Sequence, residues 1–229
     1  MSSRIAVLAS GGGSNLQALL DHLSALGPAA PGAVVLVASD QPQALALERA
    51  RLAGIEAVAM DRALRTDGLA DLLRARNVDL VVLAGYLRLV PAAVTTAWRG
   101  RVVNVHPALL PAFGGKGMYG QHVHTAVLAS GTRVSGPTIH FVDDQYDHGA
   151  TIAQWPIPVF AADTPATLGL RVLEVEHLLF PRVVADVAAG RTVLAPDGRV
   201  ATTHDAIRFP HFAASDACGV ADAHDAPPA

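Results

Sequence analysis

The chain has 229 residues, 51% of them hydrophobic and 16% charged, with a formal net charge of -3. This composition excludes a disordered polypeptide and is enough for one large or two small packed domains. The slight acidity removes the basic face that nucleic-acid binding needs, and the sequence has no apolar run of about 18 residues to span a bilayer.

Cys218 is the only cysteine, so no disulfide can form within the chain and a cysteine metal cluster is not expected. That usage fits a reducing cytoplasm. The apolar run after Arg4, residues 5–9, is too short for a secretory signal and leads straight into glycines, so a soluble cytoplasmic protein is expected.

In chain order, residues 5–9 read as a buried strand, then a glycine turn, then a helix over 14–26. Strands are predicted at 33–38 and 55–59, with helices over 43–53 and 67–76. Residues 79–84 (DLVVLA) are apolar on both faces, as in a parallel sheet covered by helices on each side. A short helix from Pro91 to about Trp98 and a strand over 101–106 follow. The pattern then changes. Residues 107–120 are rich in Pro and Gly and read as a long loop, a feature often functional in compact domains. A helix over 122–130 precedes two strands, 135–142 and 150–159, expected to pair antiparallel around the turn 143–149. A long helix spans 164–189, opened by Asp163-Thr164-Pro165, with Pro181 expected to kink or interrupt it. Two short strands, 192–194 and 199–202, close on the turn Pro196-Asp197-Gly198.

The expected fold is therefore α/β: a doubly wound, mostly parallel sheet, Rossmann-type in its N-terminal half, with an antiparallel C-terminal extension. One domain is expected over 1–203, with a phosphate-binding half (1–100) and a catalytic and folate half (101–203). Residues 204–229, rich in Ala, Asp and Pro, are expected to be a loosely ordered tail.

Three constellations carry chemistry. The turn containing Gly12, Gly13, Ser14 and Asn15 lies between a strand and a helix, where free N–H groups and the helix dipole suit a phosphate. A dinucleotide fingerprint fails because Leu16 stands where a glycine is needed, although Asp40 sits near the place of the ribose-binding acid. A P-loop lysine is also missing; a mononucleotide phosphate is the better reading, against a plain structural turn. Second, Asn104 and His106 lie two apart at a strand end and so share one face, an amide donor beside an imidazole. That pair suits oxyanion stabilisation and proton movement. Third, the turn 143–149 carries Asp143, Asp144 and Asp147, ordinarily a solvated loop unless one acid faces His106. His140 shares a strand face with Thr138 and Val142 and can turn toward the same cleft. The ten histidines lack the i, i+4 spacing of zinc hydrolases, so no metal is expected.

The strings at 9–18 (ASGGGSNLQA), 81–88 (VVLAGYLR), 104–111 (NVHPALLP) and 147–149 (DHG) together resemble the folate-dependent formyltransferases, over residues 4–195. Within that class the GGGSNLQA opening is similar to the glycinamide ribonucleotide formyltransferases. The resemblance implies 10-formyltetrahydrofolate as co-substrate and Asn104, His106 and Asp147 as the catalytic triad. It places the substrate phosphate on Gly13, Ser14 and Asn15, with Gly12 beside them, and the ribose on Glu176. It lines the folate pocket with Arg88, Leu89 and Val90 and with the backbone of 142–147, including Val142, Asp143 and Asp144. His140 matches a histidine near the cleft. Two departures stand out: the loop 112–120 is longer than the family's short form and brings Lys116, and Leu173 stands where some relatives have a polar or basic phosphate-binding side chain. Lys116 or Arg171 would then take over that role.

Formyl transfer to the amine of glycinamide ribonucleotide, in purine biosynthesis, is the resulting expectation. The partners are small molecules, with no nucleic acid or membrane, acting on a monomer or homodimer. Methionyl-tRNA formyltransferase shares the Asn–His–Pro–Leu–Leu–Pro core but normally adds a tRNA-binding C-terminal domain. Formyltetrahydrofolate hydrolase typically adds an N-terminal regulatory domain. A nucleotide-binding module without catalysis is the remaining alternative.

Overall fold

The computed structural model describes residues 2–203. The predicted tail, 204–229, lies outside them, as does Cys218.

Five strands, β1 (Ser3–Leu8), β2 (Gly32–Ser39), β3 (Glu56–Ala59), β4 (Leu80–Leu83) and β5 (Val102–His106), pair in parallel. Beyond β5 the chain forms β6 (Val134–Ser135), β7 (Thr138–Phe141), β8 (Thr151–Gln154) and β9 (Ile157–Pro158). The main sheet has seven strands in the order β3-β2-β1-β4-β5-β7-β8, with β7 and β8 antiparallel. The doubly wound, mostly parallel reading therefore holds, antiparallel extension included. It ends on the hairpin β10 (Thr192–Leu194) and β11 (Val200–Thr202).

Strand alternation divides the core in two. Ile5 and Val7 of β1 face one side with Leu16 and Leu19 of α1 (Ser14–Leu26), Leu47 of α2 (Leu45–Leu52) and Phe180 and Val184 of α6 (Pro165–Ala188). Ala6 and Leu8 face the other side, with Leu69 and Leu73 of α3 (Leu69–Ala75) and Val94 of α4 (Ala92–Ala97). Residues on both faces are fully buried, as a sheet sandwiched between helix layers requires. A third cluster joins Val123 and Val127 of α5 (Gln121–Ala129) to Leu168 and Val172 of α6, beneath the loop that follows β5.

Some predicted boundaries shift for local reasons. The strand expected over 135–142 splits into β6 and β7 at Gly136-Pro137, and the one over 150–159 splits into β8 and β9 at Trp155-Pro156. Proline lacks the N–H that a ladder needs, so the chain leaves the main sheet at both points, and β6 and β9 pair with each other instead. The helix expected over 67–76 is preceded by a wider π turn, Leu64–Gly68. Contrary to the expected interruption, α6 runs unbroken through Pro181. Its N-terminus is held by a capping box between Thr164 and Thr167.

The chain reverses its direction of winding where β1 lies between β2 and β4. At such a switch point the loops leaving the strands' carboxyl ends diverge and open a crevice.

Candidate active site

A cleft of about 790 Å³ opens at the carboxyl ends of β4 and β5. One wall is Gly85–Leu87 and Asn104–Pro107; α6 supplies the opposite wall through Pro165, Gly169, Leu173 and Glu176. The loop from Gly115 to Gly120, the start of α5, and Tyr146 and Asp147 close the rest.

Antiparallel pairing of β5 with β7 puts Asn104 opposite His140 and His106 opposite Thr138. This register brings His140 to the cleft residues: its Nε2 lies 3.1 Å from Asn104 Nδ2. His140 Nδ1 donates to the Phe141 carbonyl (2.8 Å), which fixes the ring so that Nε2 faces both the Asn104 amide and Asp147 Oδ1, the latter at 3.7 Å. The same amide nitrogen lies 3.4 Å from Asp147 Oδ1.

Asp147 reaches the cleft because its backbone is left-handed, at φ 54°. Two residues on, Gly149 passes so close to the Phe141 carbonyl that any Cβ would collide with that oxygen. The tight return to β8 thus depends on Gly149, and it turns Asp147 inward. Asp147 Oδ2 accepts the Gly115 N–H (2.9 Å) and faces His106 Nδ1 at 3.5 Å. His106 Nε2 donates to the Phe113 carbonyl (2.8 Å).

His106 therefore sits between two acceptors, a carbonyl and a carboxylate, and only the imidazolium can donate to both. Burial nevertheless pushes its pKa below the ordinary value, and the Asp147 charge and the Phe113 carbonyl pull it only part of the way back. For Asp147, burial raises the pKa, but His140, the His106 charge and the Gly115 N–H outweigh it and hold the carboxyl below the ordinary range. An ionised acid thus faces a buried imidazole that gains a proton most easily when negative charge develops beside it.

At the other end of the cleft Asn15 Nδ2 donates to Glu176 Oε2 (2.6 Å). Burial pushes the Glu176 pKa up to about 7, against the pull of that hydrogen bond. Asn15 Oδ1 is buried without a partner among the described residues. Lys116 is the only lysine in the chain and, among the described residues, the only Lys or Arg that lines this cleft. Arg171 is engaged elsewhere: it pairs with Asp163 at 2.5 Å and stacks over Phe160.

A family model described as "Formyl transferase" matches residues 3–184. The chain belongs to the formyl transferase family. It is 45% identical over 202 residues to the chloroplastic phosphoribosylglycinamide formyltransferase of Arabidopsis thaliana, covering 85% of this chain and 68% of that one. The Vigna unguiculata protein of the same name is 43% identical over 201 residues, with 85% and 64% covered. The chain thus spans about two thirds of the length of these plant relatives. The crystal structure of glycinamide ribonucleotide transformylase 1 from Symbiobacterium toebii superposes with a TM-score of 0.79 at 42% identity, over 88% of this chain and 94% of that one.

Of the residues singled out in the sequence of this family member, Asn15, Asn104, His106, Lys116, Asp147 and Glu176 line the cleft. The rest take other places. Gly13, at φ 71°, packs against α2, where an added Cβ would lie 2.8 Å from the Ala46 Cα. The Gly12 carbonyl accepts Arg49 Nε at 2.9 Å. Ser14 opens α1. Arg88, Leu89 and Val90 follow the cleft-lining stretch Gly85–Leu87, and the Leu89 N–H donates to the Tyr146 hydroxyl (3.0 Å). Val142 leads out of β7, Asp143 pairs with His148 at 2.7 Å, and Asp144 is exposed; only Asp147 of that turn's acids enters the cleft. His140 lies behind Asn104. Among the described residues no group of three or more His, Cys, Asp or Glu is arranged to hold a metal.

Sequence reasoning did not place Tyr86, Tyr119, His124 and Tyr146 in the cleft that they line. Tyr146 adjoins Asp147 in a turn already notable for its acids, and Tyr86 lies within the string VVLAGYLR, so both were within reach. His124 stands on α5, a helix whose facing direction depends on tertiary packing.

Proposed function

We propose that this chain transfers the formyl group of 10-formyltetrahydrofolate to the amino group of glycinamide ribonucleotide, a step of de novo purine biosynthesis. The observation that carries the reading is the convergence of Asn104, His106 and Asp147 on one cleft, in a family member 45% identical to a phosphoribosylglycinamide formyltransferase. The cleft has two chemically different ends. Tyr86, Leu87 and Tyr146 form an aromatic and apolar end suited to the flat ring system of a folate. Asn15 and Glu176, hydrogen-bonded to each other, form a polar end suited to a ribose, and Lys116 lines the same cleft as the cation for its phosphate.

Two reactants aligned in one cleft gain much of the rate from proximity, worth on the order of 7–11 kcal/mol in well-oriented systems. The substrate's neutral amine attacks the formyl carbon, and the carbonyl oxygen takes up negative charge. Protonated His106, exchanging its bond to the Phe113 carbonyl for the substrate, and the Asn104 amide donate to that oxygen, while Asp147 stabilises the imidazolium and takes the amine proton, directly or through water. As the carbon–N10 bond breaks, the proton returns to the departing folate nitrogen. Glu176 receives the ribose hydroxyls. Lys116, with the helix start at Gly12–Asn15, receives the phosphate, a task to which the apolar Leu173 cannot contribute. Arg88, Leu89, Val90 and the loop Val142–Asp144 back the folate end, and His140 holds Asn104.

Within one domain, residues 1–100 contribute the phosphate-binding turn and the folate-facing segment 85–90, and residues 101–203 contribute the catalytic residues, Lys116 and the rest of the folate wall. The partners are the two small molecules, and the compartment we propose is the cytoplasm; the Arabidopsis relative is named chloroplastic.

The test is the absorbance change on mixing the protein with 10-formyltetrahydrofolate, with and without glycinamide ribonucleotide. Deformylation that depends on the ribonucleotide is expected. Turnover with water alone points to a hydrolase, and no turnover in either mixture overturns the enzymatic reading.

A further inference from the structure

Asp40 follows β2 directly, outside the cleft. Its side chain is 2% exposed, yet it is charged and fully engaged. Oδ1 accepts the Ser10 hydroxyl at 2.6 Å; Oδ2 accepts Arg88 Nε at 2.7 Å and Gln41 Nε2 at 3.1 Å. The same Ser10 hydroxyl oxygen accepts the Leu87 N–H (3.0 Å), and the Ser10 N–H donates to the Gly85 carbonyl (3.0 Å). The acid is thus linked twice to the segment 85–88, once through Arg88 and once through Ser10. From the far side the Tyr146 hydroxyl accepts the Leu89 N–H. Tyr86 and Leu87, the apolar end of the cleft, lie between these anchors.

We infer that Asp40 is a positioning residue for the co-substrate: through Arg88 and Ser10 it sets the segment 85–89 against which the folate ring system binds. Buried carboxylates are retained at a desolvation cost, and two of the three side chains that this one holds are those that fix the segment. Arg88 is half-exposed on its outer side, so its pairing adds little to global stability, and the effect is local to the folate end. The inference rests on the formyl-folate reading of the cleft.

Asp40→Asn keeps the side-chain shape and an acceptor for Ser10 but removes the charge that holds Arg88. KM for 10-formyltetrahydrofolate is expected to rise about tenfold, the loss typical of one hydrogen bond to a charged group. The turnover number and the KM for glycinamide ribonucleotide should stay within about twofold. Arg88→Gln, at a half-exposed position that will fold, should reproduce the same KM change, and the double variant should be no worse than either single one. Calorimetric titration of 5-formyltetrahydrofolate, a non-transferring reduced folate, should show the same loss of affinity. Unchanged folate KM and affinity in Arg88→Gln overturn the inference, as do additive effects or a fall in turnover alone. If the unsubstituted protein binds no reduced folate, the functional reading itself fails, an outcome distinct from these.

Discussion

The substitution that most directly interrogates the cleft is Asp147→Asn. The side chain keeps its size and can still accept the Gly115 N–H, so the 143–149 turn should persist. What disappears is a charge 3.5 Å from His106 Nδ1. At an effective dielectric constant of about 20, that separation corresponds to roughly 5 kcal/mol between unit charges, and the new amide dipole returns part of it. A net loss of about 3–4 kcal/mol from the charged transition state lowers turnover by on the order of 10²–10³. The pH profile supplies a second readout. In the parent, burial pushes His106 down and Asp147 pulls it up, while Asp147 itself stays ionised above its lowered pKa. Without the carboxylate the His106 pKa falls further. The limb on which activity declines with rising pH, as the imidazolium is lost, must therefore move to lower pH. Steady-state turnover from about pH 5 to 9 at saturating substrates checks both. A variant within threefold of the parent (roughly 0.65 kcal/mol) with an unshifted limb would refute the assigned coupling.

Glu176→Gln should alter stability in a pH-dependent way. The folded-state pKa of about 7 lies above the ordinary 4.5, so the parent's stability is fully present below pH 4.5 and falls as pH rises through 7, by about 3 kcal/mol. Urea midpoints at about pH 5 and pH 8 should show that decline in the parent and not in the variant; parallel curves would contradict the buried acid. Lys116→Met should raise KM for the ribonucleotide about tenfold and leave the folate KM unchanged, more strongly at low ionic strength; an effect on the folate alone would place the lysine at the other end. Gly149→Ala should destabilise the fold by more than about 4 kcal/mol in chemical denaturation, because the methyl meets the Phe141 carbonyl and the turn bearing Asp147 cannot close.

Much of the fold was legible in the sequence because its signals are local and periodic. Runs such as 79–84 are apolar on both faces, which only a sheet covered on two sides can use, and the strand, turn and helix around Gly13 announce themselves in a short stretch. Asn104 and His106 were legible as a pair because a strand repeats every two residues. Their partners were less so. Asp143, Asp144 and Asp147 are indistinguishable by composition; a left-handed backbone at 147 and the close pass at Gly149 decide which carboxylate turns inward. Of the two outcomes expected at Pro181, a kink or an interruption, the interruption does not occur: α6 continues through it inside a packed core.

The sequence by itself determined the alternation of strands and helices, the winding of the sheet, and which short strings carry chemistry. Those properties follow from nearest neighbours and side-chain periodicity. Only the tertiary structure decided that β5 and β7 pair in the register that sets Asn104 against His140, and that the loop after Pro111 lays Phe113 and Gly115 across His106 and Asp147. The same holds for Asp40, legible in the sequence only as an acid near the ribose-binding place of a failed dinucleotide fingerprint, which proves to be tied to Ser10 and Arg88, 30 and 48 residues away. Contacts between distant segments depend on how loops close over a sheet and on which buried polar groups find partners, and neither is written in any short stretch of chain.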